Sequence, residues 1–301
     1  MRPNATAQNR VAQLPVNPAN FNVYAGFSPD ARSIFYTMSD KFAGFSPGEL
    51  WTVNTDGSGQ RRLATDLANS AFSVVSPDSR TAGYAKNEVR QSRHIFRSVD
   101  IATGAAADSG SANGYGHFYK TKDQVLTWAN GSIGFEPFGG GAGTTLFTPT
   151  TGASLWGMSP SPDHSRIALH FHYDNGMNPG MPMNELWMIH TDGRNPIKLA
   201  TALSPEFFAN FGLHWSADSR TFAYSVSGLS SGNGLYVLTP GATSGRLIHT
   251  AKQVIGYCLS PDGSYISYQI NSSDTLHLMR TDGTGELTIP NFPGGVLAWG
   301  W

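Results

Sequence analysis

One turn sequence recurs along the chain and constrains its fold more than any other feature. Ser-Pro-Asp or a close variant stands at Ser28-Pro29-Asp30, Ser76-Pro77-Asp78, Ser161-Pro162-Asp163, Ser216-Ala217-Asp218 and Ser260-Pro261-Asp262. The starts are 48, 85, 55 and 44 residues apart. The gap of 85 is about twice the others. A degenerate unit is therefore expected inside it, with Lys122-Asp123-Gln124 as its turn. The result is six units with the period of propeller blades.

Each unit follows the same grammar. A short apolar or aromatic run precedes the turn, at residues 22–27, 71–75, 117–120, 155–158, 213–215 and 256–259. Four residues after the turn Asp stand Ile34, Ala82, Ile167, Phe222 and Ile266, and six after it Tyr36, Tyr84, Leu169, Tyr224 and Tyr268. Period-two alternation of this kind predicts a strand. A third strand runs into Thr-Asp-Gly at Thr55, Thr191 and Thr281, where Gly allows a tight reversal. A fourth closes the unit, as in Arg61-Arg62-Leu63, Ile197-Lys198-Leu199 and Arg246-Leu247-Ile248. Four strands, six times, without helical periodicity, predict an all-β fold: a six-bladed β-propeller of four-stranded antiparallel blades. Residues 10–14 and 296–301 read as extra strands that can latch the ring but are too short for a complete seventh blade, so seven blades is the alternative only. The expected organisation is an N-terminal latch segment over 1–20 and a single propeller domain over 21–301.

Composition agrees. The 34 Gly and 18 Pro supply the turns, and only 14% of residues are charged, because strands buried on both faces leave little surface for charge. A formal net charge of −1 gives no footprint for nucleic acid or anionic membrane. No apolar run reaches the ~18 residues of a membrane span. The single Cys258 excludes an intrachain disulfide and a Cys-rich zinc site. Residues 1–16 lack the apolar core of a signal peptide. The compartment stays open: periplasmic or extracellular if a signal was removed, otherwise cytoplasmic. A monomer is expected.

The Ser-Pro-Asp-Gly turn, the alternating strand, the Leu-Trp or Leu-Tyr strand and Thr-Asp-Gly before basic-basic-Leu resemble the TolB-type, WD40-like (PD40) propeller repeat. The resemblance runs from about residue 20 to 290 and concerns the fold. TolB carries a further N-terminal domain that does not appear in this sequence. Similar repeats build the propellers of prolyl-oligopeptidase-like peptidases and of oligogalacturonate lyases. The resemblance to the lyases implies a manganese site of His and Gln, with a Gln three residues before a His-x-His. That position here is Ile167.

The fourth unit departs from its own repeat. Seven residues after the turn Asp the other units carry Thr37, Ala85, Ser225 and Gln269, whereas this one has His170. Nine after, they carry Ser39, Asn87, Ser227 and Asn271, whereas this one has His172. A His-x-His on a strand puts both rings on one face, about 6.5–7 Å apart at the backbone. With a third ligand such a pair chelates a metal. Asp174, Glu185, His117 and His214 are candidate thirds, and His170, His172 and His214 form the candidate metal set. Packing between blades is the alternative for both histidines. Candidate ligand-binding residues are Tyr115, His117, Trp156, Glu185, Phe207, Phe208 and Asn210. Apart from Glu185, which follows the connection 174–184, they lie on or just before first strands or on the long connection 201–211. The connections 39–48 and 174–184 are also enlarged, and on such loops a rigid scaffold carries function. Gly44-Phe45-Ser46-Pro47-Gly48 matches a hydrolase pattern, but no helix follows it to make a nucleophile elbow.

Two functions follow. The first is a non-catalytic binding or scaffold propeller, with no cofactor, holding a protein, peptide or oligosaccharide at its loop-rich face. The alternative is a metal-assisted carbohydrate-active enzyme, a polysaccharide lyase or glycoside hydrolase, using Mn²⁺ or Zn²⁺.

Overall fold

The computed structural model describes residues 21–40, 47–68, 73–88, 93–108, 116–119, 121–138, 141–150, 152–173, 183–203, 213–227, 232–239, 241–270 and 274–292. Every regular element among them is a strand. The first repeat unit holds β1 (Phe21–Phe27), β2 (Ser33–Asp40), β3 (Gly48–Asn54) and β4 (Arg61–Leu67). The second holds β5 (Ser73–Val75), β6 (Thr81–Glu88), β7 (Arg93–Asp100) and β8 (Ala106–Asp108). The third holds β9 (Gly116–Tyr119), β10 (Thr121–Ala129), β11 (Ser132–Pro137) and β12 (Thr144–Phe147). The fourth holds β13 (Ala153–Pro160), β14 (Arg166–Tyr173), β15 (Met183–His190) and β16 (Ile197–Leu203). The fifth holds β17 (His214–Trp215), β18 (Phe222–Val226), β19 (Gly234–Leu238) and β20 (Arg246–Thr250). The sixth holds β21 (Val254–Leu259), β22 (Tyr265–Ile270), β23 (Leu276–Arg280) and β24 (Leu287–Ile289).

Units three to six each make a four-stranded sheet with strands in sequence order. Units one and two join into one eight-stranded sheet through a single pairing, Leu67↔Lys86. The chain forms two compact halves that divide after Thr145. The proposed latch residues 10–14 and 296–301 lie outside the described residues. One turn differs from expectation. Lys122-Asp123-Gln124 is not a turn but the start of β10, which meets β9 with a register shift between Thr121 and Val125.

Both faces of a central strand are covered, so β14 shows no apolar–polar alternation. Ile167, Ala168, Leu169, His170 and Phe171 are each at most 2% exposed. Ala168 faces Phe222 and Tyr224 of the fifth sheet. Phe171 points the other way and packs on Phe147 at 6.1 Å.

The recurring turns explain their own sequence. In each, the Ser hydroxyl donates to the Asp carboxylate two residues on, at 2.6–2.7 Å. The Asp oxygen in turn accepts a backbone N–H two residues further along, at 3.0–3.1 Å. The residue after the Asp is left-handed, with φ of 55° to 66° at Ala31, Ser79, His164, Ser219 and Gly263. Neighbouring turns also touch. The Asp30 N–H donates to Ser79 Oγ at 3.2 Å, and the Asp163 N–H to Ser219 Oγ at 2.8 Å. Gly263 has no hydroxyl, and there the Ala217 N–H donates to the Pro261 carbonyl at 2.9 Å.

Candidate functional site

Strand alternation places the imidazoles of His170 and His172 on the face of the fourth sheet that carries Ala168, Leu186 and Met188 towards the fifth. His172 stands directly opposite Asn184 of β15. His170 Nε2 and His172 Nδ1 both lie 3.2 Å from Asn184 Oδ1. Each ring therefore donates one N–H to the same oxygen, a tautomer set by the hydrogen-bond network. His170 is 2% exposed and Asn184 1%. The amide Nδ2 of Asn184 has no hydrogen-bond partner among the described residues. Burial pushes His170 down to about 4, against the raising effect of Asn184, and the neighbouring His172 lowers it further.

Trp156 completes the cluster. The register of β13 on β14 shifts between Leu155 and Gly157, so Trp156 sits in a β-bulge, which re-aims its side chain. Its ring stacks on His172 at 4.2 Å and 19°, and meets His170 edge-on at 5.9 Å and 67°. Gly157, next in the chain, packs between Leu213 and His170: a Cβ there would meet the first at 3.4 Å and the second at 3.5 Å, ordinary contact distances. Trp156 and His172 are half-buried.

The other candidates are not brought to this point. His214 stands opposite Ala223, whose side chain belongs to the cluster between the fifth and sixth sheets, and His214 meets Tyr257 edge-on at 5.2 Å. Trp215, one residue on, faces back to the fourth sheet, where its indole N–H donates to the Ser159 carbonyl at 3.1 Å. His214 thus lies on the opposite face of the fifth sheet from the His170 side. Half-buried by area, it is still enclosed at longer range, and burial pushes it down to about 4.

Glu185 alternates with Asn184 and points away from the pair. Its carboxylate accepts from Trp187 Nε1 and from Lys198 Nζ, each at 2.9 Å, with the ammonium 5.6 Å from the Trp187 ring centre. Burial pushes this carboxyl up, but the hydrogen bonds outweigh it and leave the net value lowered. The first sheet repeats the arrangement: Glu49 accepts from Trp51 at 2.9 Å and from Arg62 at 2.7 Å. Both are Glu-Leu-Trp with a cation at the same later position, a pattern open to inspection in the sequence. Asn184 carries no such signal in the sequence. It replaces Gly48 of unit one in Gly-Glu-Leu-Trp, and only the strand register reveals its role. Asp174, Tyr115, Phe207, Phe208 and Asn210 lie outside the described residues, as does the side chain of His117, whose backbone is on β9.

The candidate metal set does not come together among the described residues. Among the described residues no three His, Cys, Asp or Glu side chains converge. The two imidazoles each direct one nitrogen at Asn184, and ring geometry turns their second nitrogens away from that shared oxygen.

No family model matches the chain, and no curated protein does. Solved structures place its fold among the β-propellers. TolB from Acinetobacter baumannii is similar over 97% of this chain and 87% of its own, with a TM-score of 0.53 and 15% identity. An oligogalacturonate lyase in complex with manganese matches over 88% of this chain and 75% of its own, with a TM-score of 0.59 and 15% identity. The β-propeller domain of Cps50 (Swd1) from Myceliophteria thermophila matches over 93% and 91%, with a TM-score of 0.59 and 11% identity.

Proposed function

We propose that the six units form a six-bladed propeller that binds its ligand without transforming it. The ligand is a protein, peptide or glycan segment held beside Trp156 and His172, next to the β14–β15 connection. One observation carries this reading: both histidines of the pair are committed to a single buried amide oxygen and to Trp156. They therefore build an aromatic and amide surface rather than a chelating point. A half-buried Trp–His stack suits the apolar face of a sugar ring or a flat peptide side chain. The resemblance to TolB-type repeats points the same way. The second reading, a metal-assisted carbohydrate lyase or hydrolase, is favoured by the His-x-His spacing and by the fold likeness to a manganese-bound lyase.

The test joins metal analysis to ligand screening. The purified chain is expected to carry no stoichiometric Mn or Zn and to show no melting shift with either. An oligosaccharide array or a peptide pull-down is expected to give a ligand whose affinity falls at least about tenfold in Trp156→Ala. One metal per chain, lost in His170→Ala and His172→Ala, would favour the enzyme instead.

A further inference from the structure

A second set of side chains recurs from unit to unit, away from this site. The tyrosine six residues after the turn Asp lies against a ring on the third strand, and its hydroxyl reaches the residue before the fourth. In the first sheet Tyr36 stacks on Trp51 at 6.1 Å and 10°, and Gln60 Nε2 donates to its hydroxyl at 2.7 Å. In the fifth, Tyr224 stacks on Tyr236 at 5.2 Å and 7°, with Gly245 beside its hydroxyl. In the second unit the ring position holds Arg97, paired to Asp66 and Asp108, and Tyr84 donates to Asp66 at 2.7 Å.

The sixth unit fills the same slot with groups that titrate. Tyr268 stacks on His277 at 5.0 Å and 17°. Its hydroxyl donates to Glu286 Oε1 at 2.8 Å, and His277 Nδ1 lies 2.8 Å from that oxygen. From β20 of the fifth sheet His249 reaches in, its Nδ1 3.0 Å from the Tyr268 oxygen. Because the tyrosine proton is used on Glu286, the His249 N–H donates to the tyrosine. A chain of hydrogen bonds thus runs from His249 through Tyr268 to Glu286 and back to His277, crossing from one sheet to the next. Tyr268 at its centre is fully buried. Among the described residues, these are the ionisable groups that face His249. Arg246, on its own strand, is turned to the carbonyls of Thr281 and Asp282.

We propose that this chain of side chains is a proton-operated clamp between the fifth and sixth sheets, closed while His249 is neutral and released when acid charges it. Burial disfavours the imidazolium, Glu286 only partly compensates, and His277, its ring centre 6.3 Å away, adds repulsion once charged. A histidine whose folded value is lowered resists a proton that the opened state accepts. The clamp is therefore fully effective above about 6.5, the ordinary value, and weakens as the pH falls below it. Glu286 is also held low, chiefly by the Tyr268 hydroxyl, so its contribution is lost in the same direction at still lower pH.

Amide hydrogen exchange of the full chain, as protection factors at pH 7.5 and 5.5, tests this. In the wild type, peptides spanning 265–289 are expected to lose protection at least about threefold on acidification. His249→Asn keeps a donor near the tyrosine but cannot titrate, and should abolish that loss. Glu286→Gln removes the compensating carboxylate and should enlarge it. A wild type that keeps its protection, or His249→Asn losing as much as the wild type, would overturn the proposal. Should His249→Asn fail to fold, a Glu286→Gln response equal to the wild type would overturn it as well. Each readout is local to the sixth sheet and independent of ligand or metal at Trp156.

Discussion

His170 is a titratable group placed where its charge cannot be solvated, and that has a measurable cost in acid. Its folded value of about 4 lies below the ordinary 6.5. Its neutral form therefore contributes fully above pH 6.5, and that contribution is lost between 6.5 and about 4. The depression corresponds to about 3 kcal/mol, and His214, on the other face of the fifth sheet, is lowered in the same sense. The melting temperature is expected to fall steeply from pH 7 to 4.5. His170→Gln keeps an N–H for Asn184 without titrating, so its own fall over that range should be visibly smaller in a calorimeter. A pH dependence equal to the wild type's would exclude His170 as a source. The pairing of His170 with His172 was legible from period two alone. Their partner was not, because Asn184 meets them only through the β14–β15 register. His214 was assigned to the same centre without following the parity of its strand. The adjacent Trp215 takes the face towards His170, which leaves His214 the other.

Among the elements, the turns carry more than chain reversal. Ser79 and Ser219 stand left-handed, where Gly is cheapest, yet each supplies the oxygen that receives the N–H of the neighbouring turn's Asp. Ser219 is 2% exposed, so losing its hydroxyl strands the Asp163 N–H. Ser219→Ala is expected to cost about 1–2 kcal/mol in urea unfolding. Ser219→Gly should cost less, since relief of the left-handed backbone offsets part of the lost bond. A Gly variant less stable than the Ala variant would show that the hydroxyl is not the main term. Five of the six turns and the alternating strands beside them were readable because Ser, Asp and Gly are each required by local geometry. The third unit differs at Lys122-Asp123-Gln124, three polar residues that lie in β10, where its register on β9 shifts between Thr121 and Val125.

At the scale of the molecule, many units share few charges. With a formal net charge of −1 and an isoelectric point near 6.7, the surface has little repulsion at neutral pH. Turbidity on mild heating should therefore peak near pH 6.7 and fall by pH 8.5, as light scattering can follow. A flat profile would point to aggregation governed by unfolding alone. The β-propeller fold was legible from the period of the repeat, while the joining of the first two units at Leu67↔Lys86 has no mark in the sequence. The two compact halves share sequence detail. Glu-Leu-Trp with its distant cation occurs in units one and four, and Asp-Ser-Arg-Thr in units two and five, at Asp78–Thr81 and Asp218–Thr221. In each half the Ser of that second motif receives the N–H of the turn before it. These details therefore recur at a spacing of three units, so a substitution in one half has a counterpart in the other against which its effect can be compared. The positions of His170 and His172 in the fourth unit are held by Thr37 and Ser39 in the first, so the histidine pair distinguishes one half from the other.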